Sequence, residues 1–280
     1  MSRTFVQGLD FALTVDRGNR VIRDATLVVE GDRLLAVGPA EEVAGSHRPE
    51  PDDVIVDGAG LGATPGFVDT HVHLSETLSR ASFPDCLGTR AWVFHWVMPF
   101  YGELTEEDER VSVLVAAVEM LRCGTTCFLD MGALRDPWTT VPALAATGIR
   151  GITGRHAADV RPAKVPVGWS DYMMDRHFFP DAAAALEVLE ACVRELDGAG
   201  DGRIRCWVNI QGKEPCSAEL HVGARELAER LGGGTTYHIA STMEETRAVE
   251  RRHGRTPVAR IAALGPRREP RARARHRRRR

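Results

Sequence analysis

Pro65-Gly66-Phe67-Val68-Asp69-Thr70-His71-Val72-His73-Leu74 is the stretch whose reading decides the fold. Val54, Ile55 and Val56 lead towards it, Asp57-Gly58-Ala59-Gly60 turn the backbone, and Phe67 to Leu74 read as a buried strand. His71 and His73 are two apart, and alternate residues of a strand project from one face. Two imidazoles on one face can share a divalent cation through their neutral nitrogens. The competing explanation is a pair of surface histidines. The apolar run that ends at the pair favours the metal.

Downstream, strands alternate with helices, an order that predicts βα units and a parallel sheet or barrel. Thr105 with Asp108 forms a capping box ahead of a helix carrying Val111, Leu114, Val115, Val118 and Leu121. Strands are expected at Thr125 to Met131, ending near Asp130, at Ile149 to Arg155 with His156 beyond it, at Ile204 to Gln211, and at Thr235 to Ala240. Helices are expected from Pro137 to Thr147, through Leu186, Leu189, Val193 and Leu196, and after the caps Ser217, Thr242 and Thr256. Residues 157–179 read as an irregular loop. Upstream, residues 4 to 60 alternate short β-like runs with turns, including a hairpin at Gly31-Asp32.

A long loop is expected from Ser75 to Gly102, with Trp92, Phe94, Trp96, Phe100 and Tyr101. Its aromatics suit either the wall of a pocket for a flat organic substrate or a small core of the loop's own. Glu76, Arg80 and Trp92 are candidate substrate contacts there. Gln211, at the end of a strand, is another, because an amide offers both a donor and an acceptor, though an ordinary strand-end polar group reads the same.

His238 lies on the last of these strands. Groups at the C-terminal ends of different barrel strands converge on one site, so His71, His73 and His238 would supply three nitrogen ligands. Three protein ligands leave a position open for water, the catalytic rather than the structural arrangement, and the cation lowers the pKa of that water.

Several segments together carry a family resemblance: VVEGDRLLAVG at 28–38, PGFVDTHVHLSETLSR at 65–80, LTEEDE at 104–109, Leu121-Arg122-Cys123-Gly124-Thr125-Thr126, and TTYHIAST at 235–242. Residues 4–264 resemble the front part of the amidohydrolase superfamily, of the cytosine deaminase, guanine deaminase and triazine chlorohydrolase type. The resemblance implies an incomplete (β/α)8 TIM barrel of about five strands over residues 63–264. Half of a β-sandwich would occupy residues 1–62. It also implies one divalent ion, Zn2+ or else Fe2+, held by His71, His73 and His238. The implied reaction is hydrolysis of a C–N bond, or displacement of chloride, on a nitrogen heterocycle.

Three departures from the pattern stand out. Ser241 occupies the place of the usual glutamate proton shuttle, and serine does not titrate near neutral pH. Glu244 and Glu245 nearby read as cap and dipole partners of a helix. Lys213 falls just past its strand, which favours one metal over two bridged by a carboxylated lysine. The family's sixth-strand histidine and eighth-strand aspartate have no counterpart, so a truncated or frameshifted product is expected.

Among 280 residues, 43% are hydrophobic and 27% charged, ordinary for a soluble globular protein. No apolar run approaches the roughly 20 residues of a membrane helix. No signal-peptide h-region opens the chain, which argues for the cytoplasm. The six scattered cysteines read as reduced core or near-core thiols. The net charge of −3 hides a local +8 over residues 267–280, which hold nine arginines and one glutamate, so the remainder carries −11. Residues 265–280 are expected to be a disordered tail. Two other readings stay open: a catalytically inactive fragment, and a partial barrel whose arginine-rich tail binds nucleic acid through phosphate charge. The partner expected first is a small heterocyclic substrate, not nucleic acid or a membrane, and a homo-oligomer is compatible with the sequence.

Overall fold

The computed structural model describes residues 2–212 and 215–264, and the chain divides into two compact units, Met1–Phe67 and Val68–Arg280. The expectations for Lys213 and for the 265–280 tail lie outside the described residues.

The first unit is a sheet of β1 (Arg3–Leu13), β2 (Val21–Glu30), β3 (Arg33–Pro39), β4 (Val54–Asp57) and β5 (Gly62–Ala63), with helix α1 (Ala40–Ser46) after β3. The strand order is β3-β2-β1-β4, with β5 also on β1. The β2–β3 hairpin turns at Gly31-Asp32, with Glu30 opposite Arg33. Gly31 adopts φ +56°, a conformation that costs glycine little. Leu9, Ala12, Ile22 and Ala25 form one small core, and Phe5, Val28 and Val43 another.

The second unit alternates strands and helices as the sequence pattern requires. Strand β6 (Phe67–Val72) is followed by a 3-10 turn (Leu74–Ser79), α2 (Thr89–Trp92), a π-helical turn (Val93–Val97), α3 (Met98–Glu103) and α4 (Glu106–Arg122). Next come β7 (Thr125–Asp130), α5 (Pro137–Ala146), β8 (Arg150–Thr153), β9 (His156–Ala157), α6 (Asp171–His177) and α7 (Ala182–Leu196). The chain continues through β10 (Ile204–Cys206), β11 (Val208–Gly212), α8 (Ala218–Leu231), β12 (Thr235–His238), α9 (Met243–His253) and α10 (Pro257–Ala262). The strands form two sheets, β10-β8-β7-β6 and β12-β11-β9, with parallel pairing along both. Phe128, Leu144, Ile149, Leu189, Ile204, Ile210 and Leu220 pack into one core. Among the described residues no helix is long and apolar enough to cross a membrane.

Five expectations are corrected. The Ser75–Gly102 segment is largely helical, not a loop. Its aromatics build a core of their own: Val97, Met98, Tyr101, Leu104 and Leu134, flanked by Phe83, Trp92, Phe100 and Trp169. Residues 157–179 contain α6, capped by the Ser170 hydroxyl on Met173 N at 3.2 Å. The expected 204–211 strand breaks at Trp207, so that β10 stays on β8 while β11 joins β9 and β12. Finally, β6 is not buried. It is the edge of its sheet, and Phe67 and Val68 are 65% and 60% exposed, because among the described residues only β7 flanks it. All six cysteines are free, but Cys86 and Cys123 are exposed rather than near the core.

Candidate metal centre

Strands β6 and β12 carry the three histidines to one place. His73 Nε2 and His238 Nε2 lie 3.2 Å apart, with the two rings stacked at 3°. The His71 ring is edge-on to both, with centroids at 5.2 and 5.3 Å. One nitrogen from each residue falls within a cluster spanning 4.8 Å. His73 and His238 are half-buried, whereas His71 is exposed.

Polar groups stand beside both rings of the closer pair: Glu76 Oε1 lies 3.4 Å from His73 Nδ1, and the Gln211 backbone counteracts the lowering of the His238 pKa by burial. Burial, reinforced by the neighbouring imidazoles, pushes His73 down to about 3 and lowers His238 as well. Both rings are therefore neutral near pH 7, and in the tautomers that carry hydrogen on Nδ1 each would present an Nε2 lone pair to the same point. A single cation accepts both. Zinc–nitrogen bonds of about 2.0–2.1 Å in a tetrahedron separate the nitrogens by about 3.3 Å, close to the spacing of this pair. The donor set fits a divalent ion of borderline softness.

Glu76 is enclosed. Tyr101 Oη donates to its Oε1, and burial, with the nearby Asp130 charge, raises its carboxyl to about 7. A cavity of about 590 Å3 reaches His73 and is lined by Glu76, Arg80 and Trp92, three of the four expected substrate contacts. Arg80 is engaged there by Glu119 through two bonds of 2.7 and 2.8 Å. Gln211 stands apart from that cavity. Its Oε1 accepts from His177 Nε2 at 2.7 Å, and it touches the metal cluster through its backbone, not its amide. Ser241 is exposed. Glu245 accepts from Ala240 N and Ser241 N at 2.9 Å each and so caps the turn before α9, as the sequence implied.

Four buried polar residues at this end of the strands were given no site role by the sequence: Asp130 and His156 marked strand ends, Glu109 closed the LTEEDE segment, and His177 fell in the expected loop. His156 donates from Nδ1 to the Met131 carbonyl at 3.2 Å and leaves Nε2 unpartnered. His177 packs beside it, with ring centroids 6.3 Å apart. Asp130 and Glu109 are inside the protein, at 3% and 0% exposure. Asp130 had a visible signal, a carboxylate closing an apolar strand. Glu109 was visible only as the end of the LTEEDE segment, since it sits among other acidic residues in the first turn of a helix.

The amidohydrolase family profile matches residues 63–265. The chain belongs to the amidohydrolase family. It is 29% identical over 265 residues to a 5-methylthioadenosine/S-adenosylhomocysteine deaminase of Pelotomaculum thermopropionicum, covering 95% of this chain and 55% of that protein. A 5'-deoxyadenosine deaminase of Methanosarcina acetivorans is 27% identical over 255 residues, covering 91% and 53%. Thus the chain spans about half the length of the curated relatives it matches. Among solved structures, a zinc complex of the atrazine chlorohydrolase of Arthrobacter aurescens superposes with a TM-score of 0.74 at 21% identity, over 94% of this chain and 58% of that one. That likeness establishes the α/β amidohydrolase fold with its parallel sheets.

Proposed function

We propose that His71, His73 and His238 hold one divalent cation, zinc before iron, in a hydrolase acting on C–N or C–Cl bonds of nitrogen heterocycles. The observation that carries this reading is the 3.2 Å approach of two neutral imidazoles, Nε2 to Nε2, with the His71 ring edge-on to both. A cation bound there activates water for attack on an electron-poor ring carbon. The chain's own residues supply the rest. Glu76 fixes the tautomer of His73, as the outer partner of a metal-bound histidine does. Trp92 offers an aromatic face on the wall of the 590 Å3 cavity, and Arg80 sits at its rim, braced by Glu119. The names of the curated relatives favour an aminopurine nucleoside as substrate, with ammonia as the leaving group.

In this reading β6, β7, β8 with β9, β10 with β11, and β12 are successive strands of an incomplete (β/α)8 barrel over residues 63–264. Residues 1–62 are its β-sandwich-like module. The free, scattered thiols suit a reducing compartment such as the cytoplasm.

The test is zinc content by atomic emission, together with ammonia release from adenosine and its 5'-modified analogues, on the purified chain. About one zinc per chain is expected, lost in His238→Ala and His71→Ala. Equal metal in the wild type and both variants would remove the site.

A further inference from the structure

The two buried carboxylates have no role in the reading so far, and each accepts one hydrogen bond from the segment just after His73, Asp130 from Leu74 N and Glu109 from Ser75 Oγ. Glu109 accepts Ser75 Oγ and Leu134 N on Oε1, each at 2.6 Å, and Arg135 N and Asp136 N on Oε2, each at 3.0 Å. Three consecutive amides converging on a carboxylate make a backbone anion cradle whose occupant is the protein's own side chain. Asp130 accepts Leu74 N at 3.0 Å, Gly132 N at 3.0 Å and Thr153 Oγ1 at 2.7 Å. Ser112 Oγ donates to the Leu74 carbonyl at 2.7 Å, and Met131 N to the Val72 carbonyl at 3.1 Å. Both peptide groups flanking His73 are therefore pinned, at the Val72 oxygen on one side and the Leu74 nitrogen on the other.

We propose that Glu109 is a positioning residue for the His73 ligand, acting through Ser75 as part of this clamp. The inference rests on the metal reading above. Securing the loop at residues 134–136 requires only the three amides. The fourth bond is the one that crosses to the ligand segment, two residues beyond His73. A carboxylate withdrawn this fully from water is tolerated only with its oxygens satisfied, so the cradle holds its position firmly. Ser75 is anchored to that fixed point, and the direction of the His73 ring follows from the backbone behind it. Metal-bound histidines with their outer supports removed lose about 10–100-fold in affinity.

The experiment titrates Zn2+ alone into the full chain against a chromophoric chelator, and records the visible spectrum with Co2+ in its place. Ser75→Ala leaves the cradle of Glu109 intact and cuts only the link. It is expected to weaken zinc about tenfold or more and to change the cobalt spectrum, with the thermal midpoint lowered only by what one lost hydrogen bond to a buried carboxylate costs. Ser75→Thr, which keeps the hydroxyl, is expected to restore both. Glu109→Gln is expected to weaken zinc as well; should it fail to fold, Ser75→Ala decides alone. Wild-type zinc affinity and an unchanged cobalt spectrum in Ser75→Ala would overturn the proposal while leaving the metal site standing. A wild-type chain that takes up no zinc would overturn the metal site and this inference together.

Discussion

Glu76 Oε1 lies 3.4 Å from His73 Nδ1, on the edge of the ring opposite the Nε2 that faces His238. The carboxyl is held in turn by Tyr101 Oη. A carboxyl at that edge would favour the tautomer with hydrogen on Nδ1 and a bare Nε2, so Glu76→Ala is expected to weaken zinc by about 10–100-fold while the helices stay intact. Equilibrium dialysis against a zinc buffer, with circular dichroism as control, checks this. An unchanged affinity would mean that His73 chooses its tautomer without help.

Gly212 is placed to govern the third ligand. It pairs with His238 across β11 and β12, adopts φ +142°, and any Cβ there would come within 2.4 Å of the His238 carbonyl oxygen. The obstacle is backbone, which cannot swing aside as a side chain would. Gly212→Ala is expected to push β12 outward, reducing cation affinity by at least tenfold with a smaller loss of global stability. Isothermal titration with Zn2+ and a urea unfolding curve measure the two quantities on one sample.

A pH dependence is expected in the first unit. Asp53 takes hydrogen bonds from Arg3 Nε and Nη2 at 3.1 and 2.7 Å and from the backbone N–H of Arg3 and Glu50. The Arg3 guanidinium, then those amides, hold its carboxyl down to about 2, against an ordinary value near 3.8. A carboxyl depressed on folding contributes stability above the ordinary value and loses it as pH falls through the folded one. Hydrogen exchange of the β1 amides should therefore speed up as pH falls from about 4 to about 2, after correction for intrinsic rates. Asp53→Asn should speed it at pH 7 and lose its effect near pH 2. A constant difference at both pH values would contradict the account.

Thr105 begins α4 with a complete capping box. Its hydroxyl accepts from Asp108 N at 3.1 Å, and Asp108 Oδ2 accepts from Thr105 N at 3.1 Å. Thr105→Ala is expected to cost about 1 kcal/mol, read from the urea midpoint at constant slope.

Much of this was legible because it is local. The Gly31-Asp32 hairpin and the caps at Thr105, Ser217, Thr242 and Thr256 depend on residues within a few positions of each other, and the structure has them all. The convergence of His71 and His73 with His238 was legible through the strand order. What could not be read depends on length or distance. The segments Thr89–Trp92, Val93–Val97 and Met98–Glu103 are too short to display a period, and the π-helical turn breaks whatever period they share. The break at Trp207 is a change of distant partner, since Trp207 N bonds to the Thr153 carbonyl and Val208 N to the Gly234 carbonyl. The clamp on Leu74 and Ser75 joins side chains 34 to 56 positions away, and nothing in the local composition marks Glu109 as one of them.

His73 and His238 stand 165 positions apart in the chain. No single βα unit brings all three rings together, so an ion bound to them acts as a clasp on a circuit through almost the whole of the second unit. Ion uptake then reports how far that circuit has closed during folding. Stripping the ion with a chelator opens the clasp while leaving the hydrocarbon interior untouched, which separates, in one molecule, what the ion contributes from what packing does.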